Sequence, residues 1–293
     1  MSKPYSKPAL TFAQQLTQLE NRGMSIGNRS LALHALQRIN YYRLSAYWQS
    51  FRQPGQPFEP GTTFESALEL YEFDRRLRLT VLDAIERVEV LARTRITYTL
   101  GHGYGAFAHT TAHSFDSRFG HTDWYTELLK EISRAKESFL EHYKANYIGF
   151  PNVPIWMASE VMSLGTLSKL FKGMLSKDQT EVARTWNIHR SVAQSWLHSL
   201  SYVRNLCAHH GRLWNRELSI KPVLLKNQPA WSTLNNGRVY TVLCVIRELT
   251  RQNPDGEGWK RAIVGLLTEL NGKPRWLTAM GAPADWSTQT FWT

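Results

Sequence analysis

Cysteine is nearly missing from this chain, with Cys207 and Cys244 the only two among 293 residues. Two thiols cannot build a disulfide framework or a four-thiolate zinc site, and both sit among apolar neighbours on helix-like segments, so buried core thiols are expected. Long apolar runs are missing too. No stretch approaches the roughly 20 residues that a membrane span requires, so no bilayer-crossing helix is expected. The opening Met1-Ser-Lys-Pro-Tyr-Ser-Lys-Pro8 is polar and lacks the apolar core of a secretory signal, which points to a cytoplasmic protein. There is no internal repeat, no low-complexity tract, and no alternating apolar and polar run bounded by turn signals, which argues against a repeat array and against a sheet. His102, His109, His113 and His121 gather in one Gly-containing stretch, but no cysteine or acid stands at ligand spacing from them. Surface histidines are the expectation there, and neither a metal nor another cofactor is expected.

Acidic side chains are scarce in two particular places. Overall, 35 Lys and Arg face 24 Asp and Glu, for a net charge of +11. Residues 1–58 set Lys3, Lys7, Arg22, Arg29, Arg38, Arg43 and Arg52 against Glu20 alone. Residues 182–228 set Arg184, Arg190, Arg204, Arg212, Arg216, Lys221 and Lys226 against Glu217 alone, whereas Phe64 to Leu100 is close to neutral. Positive charge gathered in patches attracts a polyanion, nucleic acid above all.

What is present is helical periodicity almost everywhere. From Leu68 to Leu91 the apolar residues crowd a segment too long for a strand, with Arg and Glu filling the gaps as on an amphipathic helix. An all-α fold follows. Helices are expected at about 9–22, 30–39, 41–51, 124–147, 155–162, 164–175, 236–252 and 258–271, with an irregular stretch over 101–122. Gln53-Pro-Gly-Gln-Pro-Phe-Glu-Pro-Gly61 cannot continue a helix and is the clearest linker. It closes a basic helical N-terminal region, residues 1–58, ahead of a larger helical part, 59–293.

The sharpest chemical signal is Ser191 to Asn215. Val192, Trp196, Leu200, Val203 and Cys207 make one apolar stripe, and Gly211 suits the residue just past the helix end. On a helical wheel His210 falls inside that stripe, about 20° from Val203, while Arg204, Asn205, Ala208 and His209 form the opposite, polar face. Arg204 and His209 stand about 140° apart, so one copy has difficulty closing both on a single phosphate. Two copies across a twofold axis would bring an arginine and a histidine from each together, which favours a homodimer. Cutting RNA without a metal needs a base for the 2′-hydroxyl proton, an acid for the leaving 5′-oxygen and cations for the charged phosphorane. Histidine exchanges protons near neutral pH and arginine grips two phosphate oxygens at once. The competing reading is an interhelical ion pair for Arg204 and simple helix capping by His209. Asn205 is placed to orient the imidazole or bind the sugar.

Arg204-Asn-Leu-Cys-Ala-His-His-Gly-Arg-Leu-Trp-Asn215 resembles the arginine-X4-histidine motif of HEPN ribonucleases. More widely, Asn40-Tyr-Tyr-Arg-Leu-Ser-Ala-Tyr-Trp48, Gly61-Thr-Thr-Phe64, Leu70-Tyr-Glu-Phe-Asp-Arg-Arg-Leu-Arg78, Ile85-Glu-Arg-Val-Glu89, Pro154-Ile-Trp156 and Ser163-Leu-Gly-Thr-Leu-Ser168 fit, in order, the pattern of bacterial Abi-like proteins of the AbiD and AbiF type. The resemblance implies a HEPN-type helical bundle, a homodimer with a composite site, and RNA cleavage during abortive infection or as a toxin-like ribonuclease. It also implies catalytic roles for Arg204 and His209 with support from Asn205, and a non-coding RNA that restrains or guides the protein. Candidate RNA contacts are Arg38, Tyr41, Tyr42, Arg43 and Tyr47 in the N-terminal region, and His210, Arg212, Trp214 and Asn215 beside the motif. Glu86 and Glu89 are expected to form structural ion pairs, with Arg204 or Arg212 as candidate partners. A non-catalytic RNA-binding protein and, more remotely, a DNA-binding regulator are the rival readings.

Overall fold

Short polar side chains start the first helices. In the computed structural model, which describes residues 4–226 and 228–293, the Thr11 hydroxyl accepts from the Gln14 N–H while Gln14 Oε1 accepts from the Thr11 N–H at 2.8 Å, a reciprocal cap on α1 (Phe12–Glu20). Asn28 Oδ1 accepts from the Leu31 N–H at 2.9 Å and opens α2 (Arg29–Ile39). Asn40 ends α2 at φ 59°, and its Oδ1 accepts from the Tyr42 N–H at 2.7 Å to begin α3 (Tyr41–Trp48). Residues 1–3 of the polar opening and Asn227 of the second basic stretch lie outside the described residues.

The chain divides into two compact units, Met1–Arg76 and Leu77–Thr293, and the division falls within α4 (Phe64–Tyr104). In the first unit Leu16, Leu19, Ala32, Leu36, Leu44 and Trp48 pack with Phe58, Phe64 and Ala67. Phe58 belongs to the proline-rich 53–61 stretch and is 6% exposed. That stretch is irregular, as its prolines require, yet it is folded onto the core by one aromatic side chain and by the Phe58 N–H, which donates to the Arg22 carbonyl at 2.8 Å.

The second unit holds α5 (His121–Arg134), α6 (Ser138–Asn146), α7 (Ile155–Val161), α8 (Leu164–Gly173), α9 (Ser176–Arg184), α10 (Arg190–Ala208), α11 (Pro229–Ser232), α12 (Val239–Thr250), α13 (Gly256–Thr268) and α14 (Pro274–Met280). The protein is all-α, with no strand among the described residues. No described helix is long and apolar enough to cross a membrane. The helix expected over 124–147 is interrupted: the backbone turns extended at Ala135 and Glu137, separating α5 from α6 without a glycine or proline to announce it.

α12 is apolar nearly all round and buried from Val239 to Arg247, as a central helix must be. Cys244 lies on it and Cys207 on α10, both buried, and burial pushes the Cys244 thiol well above its usual range. α10 packs on α8 and α9, and α8 in turn packs on α5. Buried side chains of α10 also tie it to the returning chain, where the Trp196 Nε1–H donates to the Val223 carbonyl at 2.8 Å and the Ser199 hydroxyl donates to the Ile220 carbonyl at 2.9 Å. α10 is thereby fixed along its length, which gives its C-terminal end a defined position.

Candidate functional site

Trp196, Leu200, Val203 and Cys207 are each no more than 1% exposed, so the apolar stripe of α10 faces the core and turns Asn205, Ala208 and His209 to the surface. Arg204 is half-buried beside them. Its Nη1 donates to Asn205 Oδ1 at 3.2 Å, and among the described residues it forms no ion pair. The ring of His209 forms no hydrogen bond among the described residues. His209 caps the helix through its backbone, whose N–H donates to the Asn205 carbonyl at 3.0 Å, and the imidazole takes no part. The side chain of Asn205 is bonded to Arg204, not to the imidazole.

The way the helix stops corrects the wheel. Helical geometry ends at Ala208, and His210 takes φ 57°, so it lies exposed past the end instead of continuing the apolar stripe. The His210 N–H donates to the Cys207 carbonyl at 3.0 Å and the Gly211 N–H to the Leu206 carbonyl at 2.8 Å, which closes the helix in the left-handed C-terminal motif. Histidine, not Gly211, occupies the left-handed position. Gly211 sits close beside it, where a Cβ would lie 2.4 Å from Leu206 Cδ1 and 3.1 Å from the Leu206 carbonyl oxygen, so a larger residue would have to push the leucine aside.

Leu213 and Trp214 then drive the chain back inward at 0% and 2% exposure. The indole Nε1–H of Trp214 donates to the Trp276 carbonyl at 3.0 Å, so Trp214 is a core anchor and not, as the motif suggests, a surface that RNA can touch. Asn215 is half-buried, with its backbone carbonyl accepting from Arg238 Nη1 at 3.1 Å and its Oδ1 turned into the protein. Arg212 is half-buried. Glu89 binds Arg93 at 2.5 Å, so it serves neither Arg204 nor Arg212, and Glu86 is exposed.

In the first unit the aromatic stretch also sorts itself by burial. Tyr47 is 1% exposed, meets Tyr71 edge-on and donates its hydroxyl to Asp74 Oδ2 at 2.7 Å, which takes it out of reach of a base. Tyr41 is half-buried against Trp48, its hydroxyl donating to Gln18 Oε1 at 3.2 Å, and burial raises the phenol above its usual value. Tyr42, at 85% exposure, and the exposed Arg38 and Arg43 stay at the surface.

The histidine stretch departs from expectation. His102 and His113 are exposed, but His109 is 0% exposed and His121 is buried. The His121 Nε2–H donates to the His109 carbonyl at 2.9 Å and its ring stacks on Tyr125. Burial, with the neighbouring His121 adding to it, brings the His109 imidazole down to about 4. Among the described residues, no three of His, Cys, Asp and Glu gather as a metal ion would require.

Sequence reasoning passed over Tyr202. Seven residues before His209, it lies about 20° from it on the helical wheel. Burial works to raise its phenol, but donors from Arg216 and Ser219 outweigh burial and leave it below its usual value.

The sequence model of the family described as Abi-like protein matches residues 34–215, more than half of the chain. The chain belongs to the Abi-like protein family. Among curated proteins and among solved structures, none matches it. The Abi-like match runs from His34, just before the surface group at Arg38, Tyr42 and Arg43, to Asn215, where the motif segment ends, so it takes in both candidate regions.

Proposed function

We propose that this Abi-like protein is a HEPN-type endoribonuclease that cuts RNA without a metal. The supporting observation is that Arg204 and His209 occupy the surface end of a firmly held helix and, among the described residues, neither an ion pair nor a bond to the imidazole ring commits them internally. Polar groups held in place but left unspent are available to a ligand.

In a homodimer with facing α10 ends, one His209 imidazole takes the 2′-hydroxyl proton as O2′ attacks phosphorus. The other protonates the departing 5′-oxygen, leaving a 2′,3′-cyclic phosphate and a free 5′-hydroxyl. The Arg204 guanidinia neutralise the charge that builds on the phosphorane, and Asn205 holds Arg204 in orientation. Tyr42, Arg38 and Arg43 contribute to gripping the strand, with His210 and Arg212 beside the motif. Family membership supports a role in abortive infection as phage defence in the cytoplasm, with a structured non-coding RNA as controlling partner.

The test is purified protein on total RNA with chelator present. Wild type cuts and leaves cyclic phosphate ends, while Arg204→Ala and His209→Ala fold and do not cut. Undiminished cutting by both variants refutes the assignment. A second reading, an RNA-binding protein without catalysis, draws on the two basic stretches; it requires tight, salt-sensitive RNA binding with no cleavage under any condition.

A further inference from the structure

Arg190, the first residue of α10, stands at the opposite end of that helix from the motif and faces a cavity of about 780 Å³ in the second unit. The cavity is walled by α5, α8, α9 and the 116–120 loop, and its volume lies within the range of small-molecule sites. Arg190 is held there. Its Nη1 donates to Gln179 Oε1 at 3.0 Å, and Gln179 is 4% exposed. The Gln179 amide nitrogen donates to the Phe171 carbonyl at 3.1 Å and the Lys172 carbonyl at 2.8 Å. Both amide hydrogens are therefore spent inward, and the oxygen has to face the guanidinium. A buried amide fixes the arginine by one nitrogen and leaves further donors for a ligand.

Lys169 and Lys172, three residues apart on α8, line the same cavity. Both are exposed, and among the described residues neither forms an ion pair. The acids around the cavity are mostly committed. Asp116 binds Arg118 through both oxygens, at 2.9 and 3.0 Å, and Glu127 is engaged by Lys130 at 3.4 Å and Arg134 at 3.9 Å. Asp116 also feels the charge of Arg190, and Asp123 adds a third acid, yet among the described residues lining the cavity Arg118, Arg190, Lys169 and Lys172 outnumber the three acids, so the cavity has positive charge to spare. Phe119 adds a flat, partly exposed ring to the wall, seated so closely on Gly173 that any Cβ there would collide with it at 2.5 Å.

We propose that this cavity binds a nucleoside phosphate, the phosphate against Arg190, Lys169 and Lys172 and the base against Phe119. Three cations around one site suit a multiply charged phosphate, and a fixed ring suits a planar base. The nucleoside phosphate is either a free nucleotide or the 5′ end of a strand. Neither source requires the chain to cut RNA.

Calorimetric titrations of the full chain with AMP, GMP, inorganic phosphate and a 5′-phosphorylated 2′-O-methyl RNA tetramer, which lacks the hydroxyl needed for cleavage, decide the matter. Saturable binding of AMP or GMP is expected, at least about tenfold tighter than inorganic phosphate and weakened at least about tenfold in the doubly substituted Lys169→Glu, Lys172→Glu chain. Because both lysines are exposed, the thermal midpoint of that variant should match wild type. Tighter binding of the tetramer than of either nucleotide, lost in the same variant, supports the site with a strand end as its ligand; weaker tetramer binding supports it with a free nucleotide. Absence of saturable nucleotide binding overturns the proposal. So do nucleotides that bind no tighter than phosphate, and affinity that the double substitution leaves unchanged.

Discussion

Two stretches mix cations with aromatic rings, 41–48 in the first unit and 204–215 in the second. Both bury their larger rings: Tyr47 and Trp48 are 1% exposed and Trp214 is 2% exposed. What they leave outside differs. The first keeps one exposed ring, Tyr42, near Arg38 and Arg43. The second keeps the half-buried Arg204 and the exposed imidazoles of His209 and His210, but no exposed Tyr, Trp or Phe. Aromatic residues in both are mainly scaffold, and the remainder suits different work: a stacking ring grips bases, whereas an arginine and a histidine can move protons and charge. Gripping and cutting should therefore separate by mutation.

The largest expected effect breaks the second stretch only. His209→Ala or Arg204→Ala should lower cutting by about 100-fold or more, the usual worth of a general acid-base group. The imidazole of His209 is exposed and makes no hydrogen bond among the described residues, so the His209→Ala thermal midpoint should stay within experimental scatter of wild type. RNA binding measured by filter retention should change far less than cutting; a parallel loss of both would mean that the two functions are one surface. Next in size is Trp214→Ala, expected to cost about 3–5 kcal/mol of unfolding free energy in urea titrations, because it removes a buried indole and its bond to the Trp276 carbonyl. A loss below about 1 kcal/mol would return Trp214 to the surface.

The buried His109 supplies a contrast with the exposed His209 that pH can expose. Its folded value, about 4, lies below its ordinary value near 6.5. Between those limits the unfolded chain takes up a proton that the folded chain refuses. Stability is fully present above the window and falls as pH falls through it, by up to about 3 kcal/mol. Urea titrations at pH 7 and pH 4.5 should show this difference, and His109→Leu should remove most of it. An equal slope in the variant assigns the acid sensitivity to other groups.

Much of this was legible in the residues. α1 to α3 lie close to where the apolar spacing puts them, while the caps at Thr11, Asn28 and Asn40 set their starts in the structure. Val203 and Cys207 placed the polar end of α10 correctly. Periodicity could not say which of His210 and Gly211 would turn left-handed, because helical spacing carries no information on the backbone past the helix end. Nor did it show the break between α5 and α6, where no residue type signals a stop and tertiary packing prevails. α9 went unseen because Ser176 to Ala183 is mostly polar and offers only Val182 and Ala183 as buried apolar residues. His109 and His121 look like loop surface in sequence; Phe115, Trp124 and Tyr125 close around His121, and Tyr125 also meets His109 edge-on.

The smallest effects sharpen the opening contrast within a single helix. Tyr42 and Tyr47 are five residues apart on α3, one facing solvent and the other Asp74. Tyr47→Phe removes a hydrogen bond to a buried carboxylate and should cost about 1–3 kcal/mol in urea titrations, the range of a bond to a charged group. Tyr42→Ala should shift stability by less than about 0.5 kcal/mol, as surface substitutions do. If Tyr42 stacks on an unpaired base, the same change should weaken single-stranded RNA binding by about 1–3 kcal/mol and leave the salt dependence intact, because stacking displaces no counterion. Weaker binding with a shallower salt slope would place the loss on phosphate contacts, and unchanged binding would make Tyr42 an idle surface residue, leaving the motif end of α10 to hold as well as cut.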